Sequence, residues 1–68
     1  MIAKDILTVL KRTPRLTPQM IAEQISANPQ RVRNILCVLL ELKLVRTSVR
    51  GVYEISPLGE DLLREIAS

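Results

Sequence analysis

Gln30, Arg33 and Asn34 are the residues of this 68-residue chain whose types and spacing best suit chemistry. On a helix turning about 100° per residue they gather, with Cys37 and Glu41, on the side opposite Val32. Arginine pairs two hydrogen bonds with the edge of guanine, and asparagine or glutamine does the same with adenine, in a major groove that admits a helix. Helix N-terminal residues make the base contacts in helix-turn-helix proteins, and a helix N-terminus favours phosphate. The plainer reading of these side chains is a solvated helix face. A three-residue turn before the helix and a basic hairpin after it weigh towards nucleic acid.

Other chemistries lack their residues. Histidine is absent and Cys37 is the single cysteine, which excludes a His/Cys metal site, a Ser–His or Cys–His nucleophile pair and an internal disulfide. No glycine-rich phosphate loop is present. Glu60, Asp61 and Glu65, with Arg64 among them, read as the solvated face of a last helix rather than an acid/base pair. Neither an enzyme nor a cofactor is expected.

The elements that position these residues are marked by four prolines and two glycines. Ile2, Ile6, Val9 and Leu10 sit at helical spacing over residues 2–12, widened by Ala3 and Leu7, and Pro14 ends the run near Thr13. Thr17-Pro18 is a cap followed by a good first helical residue, opening a helix over 18–25 that buries Ile21, Ala22 and Ile25. Asn28-Pro29 repeats the signal and opens a third helix running to about Lys43. The two or three residues between these helices force the tight angle of a helix-turn-helix.

From Leu44 the period changes. Val45, Thr47 and Val49 alternate, Arg50-Gly51 offers a tight turn, and Val52 to Ile55 alternates again, which predicts a β-hairpin. Ser56-Pro57 starts a last helix with Leu58, Leu62, Leu63 and Ile66, whose first turn Gly59 should weaken. The expected fold is mainly α with a small β-hairpin, one domain over residues 1–68.

Composition agrees with a small aliphatic core. Hydrophobic residues make up 47% and charged residues 25%, and Tyr53 is the single aromatic residue. The formal charge of +3 hides an asymmetry. Residues 1–52 hold nine cationic against three acidic residues, a net +6, and residues 53–68 hold one against four, a net −3. A basic body suits an anionic partner. No run approaches a membrane span, the start does not read as a signal peptide, and one unpaired cysteine fits a reducing compartment, so a cytoplasmic protein is expected.

Residues 17–59 resemble the winged helix-turn-helix of small bacterial and archaeal regulators of the MarR, ArsR and PhiH1-repressor groups. Leu16-Thr17-Pro18-Gln19-Met20-Ile21-Ala22-Glu23-Gln24-Ile25 is similar to the first helix of that motif, with Ala22 as its small packing residue. Val32, Leu36, Leu39, Leu44 and Val45 follow the apolar spacing that leads into the wing, and Tyr53 to Gly59 resembles its close. Two positions depart from the pattern: Ser26 and Lys43 stand where glycine is usual. The resemblance implies a three-helix core, a two-stranded wing and a C-terminal helix, acting on double-stranded DNA in transcription regulation. It places Gln30, Arg31, Arg33, Asn34 and Cys37 on or beside the groove helix, with Asn28 at its start. Arg50 falls at the wing tip, Arg46 on the same hairpin, and Thr17 and Gln19 at the backbone-crossing end of the second helix.

The aliphatic content exceeds what one small core needs. Val38, Leu40 and Leu42, with Ile2, Leu7 and Val9 and with Leu62, Leu63 and Ile66, supply candidates for an exposed apolar patch. A homodimer is therefore expected, and its two-fold symmetry would suit a palindromic site. The rival reading uses the same winged helix for protein–protein assembly without DNA.

Overall fold

A computed structural model describes residues 2–67. The order is α1 (Ile2–Arg12), α2 (Pro18–Ile25), α3 (Pro29–Glu41), β1 (Val45–Val49), β2 (Val52–Ile55) and α4 (Pro57–Ala67). This is the small winged-helix fold, with three helices, an antiparallel hairpin and a closing helix.

The predicted caps form. The Thr17 side chain accepts from the Met20 N–H, the Asn28 side chain accepts from the Gln30 N–H, and Pro18 and Pro29 follow as first helical residues. Each cap satisfies a donor that the helix itself cannot, a contribution of about 1 kcal/mol. The turn between α2 and α3 is made by Ser26 in the left-handed region (φ 56°), with the Ala27 N–H donating to the Ala22 carbonyl.

Helix α3 ends at Glu41, short of the expected Lys43. Lys43 is left-handed (φ 65°), its N–H donates to the Leu40 carbonyl, and the Leu44 N–H donates to the Leu39 carbonyl. This pair of bonds is a Schellman motif, and the buried Leu39 and Leu44 supply its usual apolar contact. Ser26 and Lys43, the two departures from the winged-helix pattern, are thus both positions where glycine would be unstrained.

The hairpin pairs Val45 with Ile55, Arg46 with Glu54 and Val49 with Val52, with a bulge between Arg46 and Val49. Gly51 takes φ 78° at the tip. Sequence reading did not anticipate a further pairing. Leu16 and Tyr53 exchange both backbone bonds, at 3.0 and 2.8 Å, which ties the α1–α2 connection to the outer side of β2. A left-handed Arg15 turns the chain into that bridge.

The core is aliphatic. Ile6, Leu7, Val9 and Leu10 of α1 meet Ile21 and Ala22 of α2, Val32, Leu36 and Leu39 of α3, and Leu16, Leu44, Val45 and Leu63. Burying each large side chain contributes about 1.5–3 kcal/mol. Tyr53 packs against this core half-buried, and Ile25 is half-buried too.

Ser56 locks α4 in place. Its hydroxyl donates to the Lys43 carbonyl at 2.6 Å and accepts from the Gly59 N–H at 3.0 Å, and its own N–H donates to the Leu44 carbonyl. Gly59 does more than weaken a helical turn. A Cβ there would lie 2.1 Å from the Leu44 carbonyl oxygen, so the bare backbone lets α4 close onto the end of α3.

Candidate functional site

Two surfaces stand out. The first is the outward face of α3, where Gln30, Arg33, Asn34, Cys37 and Glu41 are all exposed. Gln30 Nε2 donates to Asn34 Oδ1 at 3.1 Å, and Arg33 Nη1 donates to Gln30 Oε1 at 3.3 Å. The three residues singled out by spacing therefore form one hydrogen-bonded group in the first turn and a half of the helix.

The remaining candidates are spread around this group. Asn28 caps the same helix end, so its side-chain oxygen is already engaged. Arg31 is exposed on a flank of α3 and Cys37 is a free, exposed thiol one turn further on. Thr17 caps α2 and is half-buried, while Gln19 beside it is exposed. Arg50 is exposed at the hairpin tip. Arg46 Nε bonds Glu54 Oε1 at 3.0 Å across the hairpin, and Arg15 lies 3.9 Å from the other Glu54 oxygen. Arg46 is thus partnered within the wing. Among the described residues, no ion pair involves Arg31, Arg33 or Arg50.

The second surface is apolar. Val38 is 54% exposed and Leu42 57% exposed, and with the half-buried Ile35 they run along one flank of α3. On α4, Leu58, Leu62 and Ile66 are 53%, 40% and 40% exposed at a spacing of four, which forms a second row. Leu7, Val9 and Leu63, expected as surplus, are instead buried in the core. Leu58, at the start of the same helix, is open. Pro57-Leu58 sits in the first turn, and the close approach of Gly59 to Leu44 turns the next position inward and leaves Leu58 outside.

No group of three His, Cys, Asp or Glu side chains suited to a metal occurs among the described residues. No helix among them is long and apolar enough to cross a membrane.

A winged helix with an open polar face on its third helix and two open aliphatic rows is the class that fold and surface define. The family model of the O-methyltransferase dimerisation domain matches residues 1–65, and the chain belongs to that family. No curated relative and no solved structure matches the chain.

Proposed function

We propose that the chain is a self-association module, a winged helix that pairs with a second copy of itself through its exposed aliphatic surface. The observation that carries this reading is the open row Leu58, Leu62 and Ile66 on α4, a helix packed into the core through Leu63 on the adjoining flank. Apolar residues set singly on a surface are ordinary, whereas rows at helical spacing mark an association site. The match to a dimerisation family supports the same reading. Assembly of this kind asks no catalytic step of the chain itself, and a free Cys37 suits a reducing cytoplasm. Light scattering at micromolar protein tests it: the mass of two chains is expected, and the mass of one chain at every concentration overturns it.

Double-stranded DNA is the second reading, favoured by the bonded Gln30–Arg33–Asn34 group and the uncompensated Arg31 and Arg50. In that reading the protein is a small regulator of the kind its sequence resembles, with α3 in the major groove and Arg50 at the backbone. Titration of labelled duplex at two salt concentrations tests it. Affinity that falls steeply with salt supports the reading, and no binding at low salt removes it.

A further inference from the structure

Both aliphatic rows begin at one junction. Ser56 bonds the carbonyls of Lys43 and Leu44, and Gly59 closes on Leu44, so the start of α4 is fixed against the turn that leaves α3. Leu42 directly precedes that turn and Leu58 directly precedes Gly59. The α3 row (Ile35, Val38, Leu42) and the α4 row (Leu58, Leu62, Ile66) therefore run outward from neighbouring points of a single chain.

The rows differ in charge. Residues 29–43 carry Arg31, Arg33 and Lys43 against Glu41, a net +2. Arg31 lies four residues before Ile35 and heads the α3 row on the same flank. Helix α4 carries Glu60, Asp61 and Glu65 against Arg64, a net −2. At about 100° per residue, Asp61 and Glu65 border the α4 row on one edge.

We propose that two copies meet crosswise, with α4 of each copy lying on the α3 row of the other. This rests on the self-association reading and names its surface. A two-fold contact uses each surface twice, so the acidic row of one copy set against the basic row of the other is matched at both ends. The alternative of α4 against its own copy would bring −2 onto −2, and like charges facing one another oppose association. A standard interface takes about 800 Å² from each partner, over half of it apolar. Among the described residues, the other exposed large aliphatics are Met20 on α2 and Val49 at the hairpin end, each standing alone.

Disulfide trapping tests the crossing. In a Cys37→Ser background, Leu42→Cys and Leu62→Cys proteins are prepared separately, mixed, left to exchange and mildly oxidised. Met20→Cys mixed with Leu62→Cys is the control, and circular dichroism checks each fold. The crosswise contact predicts that the Leu42/Leu62 mixture forms covalent dimer at least tenfold faster than the control or either protein alone. Leu62→Cys cross-linking to itself as fast as the mixture overturns the proposal in favour of α4 on α4. A mixture no faster than the control overturns it as well. Light scattering on the same samples separates the levels. Dimers that fail to cross-link refute the crossing alone, whereas a monomeric parent protein refutes the association reading and the crossing with it.

Discussion

At the residue scale, the fold depends on a few positions where the backbone does something unusual. Lys43 closes α3 in the left-handed region, which costs a residue bearing a Cβ about 1 kcal/mol and costs glycine little. Lys43→Gly should accordingly raise the stability of the protein by about 1 kcal/mol in urea unfolding. A loss of stability would mean that the lysine side chain holds the turn through contacts that outweigh the strain. Ser56 serves three hydrogen bonds at the α3–α4 junction, two through its hydroxyl. Ser56→Ala removes a buried acceptor and donor together and should cost about 1–2 kcal/mol by the same measurement. Gly59→Ala should cost more than Ser56→Ala, because 2.1 Å from a carbonyl oxygen leaves no room for a methyl group unless α4 moves.

At the element scale, the chain announces its helices through cap-plus-proline pairs. Thr17-Pro18, Asn28-Pro29 and Ser56-Pro57 start α2, α3 and α4 where the sequence places them. These signals were legible because capping is local chemistry, needing only neighbours two or three residues away. The end of α3 was not legible to the residue, since no glycine marks it and Lys43 adopts the glycine conformation under the pull of Leu39 and Leu44. The Leu16–Tyr53 bridge was invisible for the opposite reason: it joins residues far apart in sequence, and nothing local to Leu16 specifies it. On α3, helical angles alone separated the polar group from the core. They also put Val38 and Leu42 at the margin, where only the packing of neighbours decides exposure. That division gives a sharp contrast between two substitutions. Leu36→Ala, inside the core, should lower stability by about 2–5 kcal/mol. Val38→Ala, on the open flank, should change monomer unfolding by about 0.5 kcal/mol or less and weaken self-association. Equal losses from both in thermal and urea unfolding would place Val38 in the core.

At the scale of the whole molecule, charge and apolar surface divide the protein into sides. Helix α4 has a net acidic charge and carries an open leucine–isoleucine row, while most of the basic residues lie on α1, α3 and the hairpin. The polar group Gln30–Arg33–Asn34 and the α3 row occupy neighbouring flanks of one helix, with Val38 one turn beyond Asn34. A protein whose folded form is held by pairing gains stability by mass action. Its thermal midpoint should therefore rise as protein concentration increases from about 1 to 100 μM, and Leu62→Glu should abolish that rise. An invariant midpoint for the parent protein across this range would show that unfolding is uncoupled from association. The most direct measurement is sedimentation equilibrium of the parent protein and Leu62→Glu side by side over the same concentrations. Self-association through the α3 and α4 rows predicts two-chain mass for the parent and one-chain mass for a folded Leu62→Glu. One-chain mass for both, or two-chain mass for both, would contradict it.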